Sequence, residues 1–203
     1  MNKQIVIIGA SGHGKVVADI AKLNGYTTIA FLDDNTKLTC CGAYPVVGTS
    51  MDVGRLLGHD FIVAIGNNAI RKKVQERLEQ SGAHVTTLIH PAAVVADDVQ
   101  IGAGSVVMAG AVINAAAELG KGCIINTCAS VDHDCLLAEF VHVSVGAHLA
   151  GTVEIGAQTW IGAGAVVSNN LKIVENCMIG AGAVVVRPLE EEGTYVGVPA
   201  KRL

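Results

Sequence analysis

Aromatic residues make up only 3% of this 203-residue chain, so any core it builds must be filled by Val, Ile, Leu and Ala. Charge is scarce as well, at 16% of residues, and the net charge of −4 leaves no basic stripe of the kind that recognises nucleic acid. No apolar run approaches the roughly 20 residues that a membrane span needs. The N-terminal MNKQIVIIGASGHGK opens with a Lys and an apolar stretch, but it breaks into a Gly-rich turn rather than a cleavage site, and reads as a first β-strand instead of a signal peptide. Six cysteines are present, yet they show no CxxC and no Cys/His ligand spacing, which disfavours a disulfide framework or a zinc cluster. They read as small fillers in a reducing compartment, the cytoplasm.

What is abundant is glycine, with 24 residues, and a repeat. From Ile89 to Val185 an aliphatic residue recurs every six positions, seventeen times without a break. Two positions before each comes a mostly small series, Ala93 to Ala183, in which Cys123, Cys135 and Cys177 take their places. Positions two apart in a strand face the same side, so each short strand sends one small and one branched side chain inward. Gly, Asn or Asp directly after the aliphatic suggests turns with unusual backbone angles. A period of six does not match the helical 3.6. It predicts strand, corner, strand, corner, with three repeats closing a triangular coil: the hexapeptide parallel β-helix, over residues 86–203. No insertion interrupts the register, so a site must be built from faces and corners, and between subunits.

Residues 1–85 have another grammar. Strands IVIIG, TTIAFLDD and DFIVAIG alternate with helices KVVADIAKLNG and NAIRKKVQERLEQSG, which predicts a small Rossmann-like parallel α/β domain. The first turn, Gly9 to Lys15, is not G-x-G-x-x-G, so a nicotinamide cofactor is unsupported. Its glycines still bring backbone N–H groups and a helix N-terminus to a phosphate. Asp33 and Asp34 end the second strand, and Gly66 ends the third, at the edge of the sheet where ligands usually sit. Together they predict a nucleotide or nucleotide-sugar site.

The β-helix repeat turns polar between Asn126 and Gly146. His133, flanked by Asp132 and Asp134, can have its tautomer fixed and its basicity raised, as a base for acyl transfer to an amine requires. Asn126 is a candidate assistant, and His142 should point outward because it precedes the inward Val143. A zinc site formed by His133, His142 and His148, as in β-helix carbonic anhydrases, is the competing reading. Residues six apart lie on adjacent faces, however, and no metal is expected.

The segments GASGHGK, FLDD, AIGNNAIRKK, Asn126 to Gly146 and the terminal VGVPAKRL together resemble the bacterial nucleotide-sugar acetyltransferases of the PglD type, and more broadly the NeuD-like sialic-acid O-acetyltransferases. The resemblance spans essentially the whole chain. It implies a left-handed β-helix, a homotrimer with CoA between neighbouring prisms, acetyl-CoA as donor, and a UDP-linked 4-amino-4,6-dideoxy sugar of a bacillosamine-type pathway as acceptor. It places sugar-nucleotide contacts on Ser11, Gly12, His13, Asp33, Asp34 and Gly66, and the general base on His133. It puts the acidic residue that raises the base's basicity on Asp134, where relatives carry Glu. Acetyl-CoA contacts fall on His142 and on the main chain of Ala163 and Ala181. The shorter Asp leaves open whether Asp134 or Asp132 orients the imidazole. Sialic-acid O-acetylation, N-acetylation of GDP-perosamine, and a non-catalytic nucleotide-sugar-binding trimer are the alternatives.

Overall fold

A computed structural model describes residues 3–203, and the chain divides into two compact units, 1–91 and 92–203. In the first, β1 (Lys3–Ile8) sits in the middle of a sheet, parallel to β2 (Tyr26–Leu32) and to β5 (Asp60–Val63). The edges are completed by β3 (Cys40–Cys41), β4 (Tyr44–Gly48) and β6 (His84–Val85), giving the order β3-β4-β2-β1-β5-β6. The β3–β4 hairpin was not legible in the alternation of apolar runs. Ile5, Val6 and Ile7 are fully buried, as a central strand covered on both faces demands.

Helix α1 (Gly12–Leu23) starts three residues before the KVVADIAKLNG run, so half of the Gly-rich turn is helical. The reason is packing. A Cβ on Gly14 would come 2.3 Å from the Gly9 carbonyl oxygen and 3.0 Å from the Phe31 ring. Contact between helix and strand therefore outweighs glycine's helix cost of about 1 kcal/mol. Helix α2 (Asn68–Gln80) is N-capped by Asn67, whose side chain accepts a hydrogen bond from the Ile70 N–H at 3.0 Å.

The second unit is a left-handed parallel β-helix. Two-residue strands stack in register eighteen residues apart, for example Ile113 on Val131 and Val131 on Leu149. One face carries Val106–Val107, Ile124–Ile125, His142–Val143 and Trp160–Ile161. The next carries Val94–Val95 through Val184–Val185, and the third Gln100–Ile101 through Lys172–Ile173. The aliphatic series from Val107 to Val185 forms one continuous core. Val95 and Ile101 are only partly buried, and Ile89 is 36% exposed, because the series there has fewer than two coils around it. The last pair, Lys201–Arg202, runs antiparallel to Gly193–Val196.

Two features of the repeat differ from the sequence reading. The glycine after the aliphatic does not supply the unusual angle: a Cβ on Gly120 would meet the Glu139 backbone nitrogen at 2.7 Å, so that position serves the close approach of the next coil. The left-handed residue comes two positions later and is often not glycine, as at Ala116, Asp134 and Thr152, each with φ near +60°. The small series also does more than fill space. Ser105, Cys123, Cys135 and Thr159 each donate to a corner carbonyl fifteen residues ahead, at 2.9–3.3 Å. Burial pushes the Cys135 and Cys177 thiols up, away from nucleophilic thiolate.

Candidate active site

The polar corner of the β-helix is built around His133. Its Nδ1–H donates to Asp134 Oδ2 at 2.7 Å, while its backbone N–H donates to Asp132 Oδ1 at 2.8 Å. Asn114, one coil earlier, donates to the same Asp132 oxygen at 2.8 Å. The two aspartates thus divide the work: Asp134 fixes the ring, and Asp132 ties down the main chain beneath it. Asp134 sits in the left-handed region at φ 59°, a conformation that Asp adopts more readily than longer side chains. With Nδ1 occupied, Nε2 is the nitrogen left to face a reactant. The hydrogen bond donated to Asp134 first, and the negative field of Asp132 second, hold the imidazole's pKa above its ordinary value. Both side chains of the pair are more than half exposed.

A second polar group lies on the face that begins with Val106. The His142 imidazole is buried, stacked on the Trp160 ring with centroids 4.7 Å apart. Asn126 Nδ2 donates to His142 Nε2 at 3.2 Å, which assigns that nitrogen as an acceptor, and Asn126 Oδ1 accepts from the Thr127 N–H at 2.8 Å. Trp160 Nε1–H donates to Ser144 Oγ at 2.5 Å. The corner that follows this face carries Ala163 and Ala181, stacked eighteen residues apart and exposed. The Ala163 carbonyl accepts from Gly182 N–H at 2.8 Å. His142 points outward from the prism and is covered.

Within one chain these two groups do not meet. The face of Ser130, His148 and Val166 lies between the His133 corner and the Ala163–Ala181 corner. His148 Nδ1 pairs with Ser130 Oγ at 2.8 Å, so the three histidines of the zinc reading have three separate sets of partners. Among the described residues no group of three or more His, Cys, Asp or Glu side chains is arranged to hold a metal ion.

In the first unit, Gly9, Ser11, Asp33, Asp34 and Gly66 line a cleft of about 310 Å³ whose floor includes Ile8, Leu32 and Ala64. Both aspartates are engaged with the main chain. Asp33 Oδ2 accepts from the Ala10 N–H at 2.7 Å, and its Oδ1 from the Asn35 N–H at 2.8 Å. Asp34 Oδ1 accepts from the Ser50 N–H at 2.9 Å. Ser11 is the N-cap of α1 but makes no side-chain capping bond. Gly12 and His13 form the first helical turn behind it. Burial, and then the positive charge of Arg71, lower the His13 pKa to about 4, so its ring is neutral near pH 7. Arg71 itself is fully buried and donates to the Ile65 and Gly66 carbonyls at 3.0 Å, bracing the strand end that carries Gly66.

Sequence reasoning missed Trp160, Asn114 and Arg71. The first two were findable: Trp160 is His142 plus eighteen, and Asn114 is Asp132 minus eighteen. Arg71 gave no such signal, lying in a charged helical run that reads as a solvated face.

Comparisons with known proteins bear on the family and the fold. The PglD N-terminal domain family matches residues 4–78. The acetyltransferase domain of PglB from Neisseria gonorrhoeae FA1090, solved in complex with acetyl coenzyme A, is 44% identical; the match covers all of both chains with a TM-score of 0.97. PerB from Caulobacter crescentus, solved with CoA and GDP-perosamine, is 39% identical over 98% of this chain and 97% of that one, with a TM-score of 0.94. The UDP-N-acetylbacillosamine N-acetyltransferase of Bacillus subtilis (strain 168) is 38% identical over 112 residues, 53% of this chain and 52% of that protein, so the match spans about half the length of that relative.

Proposed function

This chain belongs to the PglD-type family of nucleotide-sugar acetyltransferases, and from that premise we propose that it transfers the acetyl group of acetyl-CoA to the 4-amino group of a UDP-linked 4-amino-4,6-dideoxy sugar. The observation that carries the reading is the His133–Asp134 pair, an imidazole with one nitrogen anchored at 2.7 Å and the other presented at an exposed corner.

The chemistry follows from that geometry. The sugar nucleotide binds in the cleft of Ser11, Asp33, Asp34 and Gly66, with Gly12 and His13 at the helix N-terminus where N–H groups favour phosphate. The acceptor amine attacks the thioester carbonyl. A C–N bond forms, the C–S bond breaks, and CoA leaves as thiolate. His133 Nε2 takes the proton that the nitrogen must lose, and the resulting imidazolium is stabilised by Asp134 and Asp132. It then returns that proton to the leaving sulfur. Main-chain N–H groups near the acyl carbon are suited to the developing oxyanion. Transfer is direct in this reading: Cys135 and Cys177 are buried with raised pKa values and are poor candidates for an acyl-enzyme, and the exposed Cys128 is given no role. His142, Ala163 and Ala181 are assigned to acetyl-CoA.

Because the His133 and Ala163–Ala181 corners are separated within one chain, the reading requires a homotrimer in which one prism's His133 faces a neighbour's CoA-binding corner. It also places the enzyme in the cytoplasm, where acetyl-CoA is available. Among the described residues no helix is long and apolar enough to cross a membrane. A GDP-linked 4-amino sugar is the second reading, favoured by the near-complete coverage of the Caulobacter relative. The test is thiol release from acetyl-CoA with UDP-4-amino-4,6-dideoxy sugar, GDP-perosamine and free sialic acid. Turnover with the UDP sugar that is lost in His133→Ala supports the proposal. Turnover with another acceptor alone moves the substrate, and none with any acceptor sinks the reading.

A further inference from the structure

The corner position occupied by His133 recurs every six residues along the coil. Elsewhere it holds Ala103, Ala109, Ala115, Thr127, Val145, Ala157 and Asn169, among others, so a side chain is tolerated there as a rule. From Ala103 to Arg187 one member is glycine: Gly151, eighteen residues after His133 and therefore on the same corner in the next coil. Its φ lies outside the left-handed region, and its carbonyl makes the ordinary rung bond, accepting from Asn170 N–H at 3.0 Å. The backbone does not ask for glycine here.

The neighbouring side chain does. A Cβ on Gly151 would come 2.5 Å from His133 Nε2, 2.6 Å from Cε1 and 3.2 Å from Cδ2. All three nearest atoms belong to that one ring. By contrast, the glycines at Gly120 and Gly156 are confined by the main chain of the following coil. We infer that Gly151 is a positioning residue for the base, a bare stretch of main chain against which the His133 imidazole rests with Nδ1 on Asp134 and Nε2 at the corner. The inference rests on His133 being the base of the proposed transfer. A methyl at Gly151 pushes the Nε2 edge outward and pulls Nδ1 away from Asp134. A misplacement of about 1 Å is worth roughly 10²-fold in rate.

The experiment uses the full-length protein with 13C-labelled histidine, and the variants Gly151→Ala, His133→Ala and the double variant. The His133 Cε1–H resonance is identified by its loss in His133→Ala. In Gly151→Ala that resonance is expected to titrate at lower pH than in the parent, with kcat down about 10²-fold and KM for acetyl-CoA little changed. In the His133→Ala background, Gly151→Ala is expected to cost nothing further, since it acts only through the ring. An unchanged His133 titration in Gly151→Ala overturns the inference, as does an equal loss of kcat in both backgrounds. If Gly151→Ala does not fold, a folded double variant supports the inference, because removing the ring removes the clash. A double variant that is also unfolded overturns it. Should the parent turn over no acceptor, the proposed function fails while the titration still decides the role of Gly151.

Discussion

The Trp160 indole lies against the His142 imidazole at 4.7 Å between ring centroids and 27° between planes, one coil above it. Trp160 is also the chain's one tryptophan, so its emission reports directly on this group. Replacing Trp160 by Ala removes a stacking contact of about 0.5–1.5 kcal/mol and frees the His142 ring to rotate away from Asn126. CoA affinity, measured calorimetrically, is expected to fall roughly three- to tenfold. In the parent, CoA titration is expected to change the Trp160 fluorescence. Unaltered affinity in the variant would separate His142 from the acyl donor.

Replacing His133 with Ala should lower kcat by roughly 10²–10⁴-fold, the range for loss of a general base. The melting temperature should hold, because the ring is exposed and fills no core space. Near-normal turnover would remove the base from the mechanism.

The pH profile has a definite sign. As the proposed base, His133 works in its neutral form, and Asp134 and then Asp132 raise its pKa above the ordinary 6.5. The acidic limb of kcat/KM therefore lies on the alkaline side of 6.5. Asp134→Asn removes the larger cause and should move that limb toward acid; Asp132→Asn should move it less. A limb that stays put in Asp134→Asn means that the titrating group is not His133.

In the cleft, Asp33 and Asp34 differ in how much main chain they hold. Asp33 ties both the Ala10 and the Asn35 N–H groups, whereas Asp34 ties only that of Ser50. Asp33→Ala should cost about 1–3 kcal/mol of stability in a urea melt, together with sugar-nucleotide affinity. Asp34→Ala should cost less stability, so its effect on binding is the cleaner test of contact with ligand.

Adjacent leucines test the two-residue rung. Leu137 is 3% exposed and Leu136 is 45% exposed. Leu137→Ala should destabilise by about 2–5 kcal/mol, and Leu136→Ala by no more than about 0.5 kcal/mol.

The six-residue series fixed the coil in advance because each inward aliphatic has no choice of face: at Val131 or Ile155 a slip of one residue would turn the core outward. The same register already held the partners of His142 and Asp132, since counting eighteen gives Trp160 and Asn114. It could not say why a given corner tolerates a given residue. That depended on which glycines meet main chain, as Gly120 does, and which carry the left-handed angle, as Gly146 does. In the first unit the three central strands were clear and the edge strands were not, and Ser11, Asp33, Asp34 and Gly66 share a cleft. Arg71 stayed hidden, because a buried cation in a helix of exposed charges is distinguished only by what packs over it.

The reversed final rung bears on solubility. A stack of parallel strands ends in a row of unpaired N–H and C=O groups, ready to template another chain. On one face of this coil Lys201–Arg202 pairs antiparallel to Gly193–Val196, with both side chains exposed and Arg202 ion-paired to Glu191. A further strand laid on that face in the coil's own direction would meet a reversed neighbour and the charge of Lys201. On that one face the reversal blunts the exposed edge, and deleting residues 201–203 is expected to show first as aggregation.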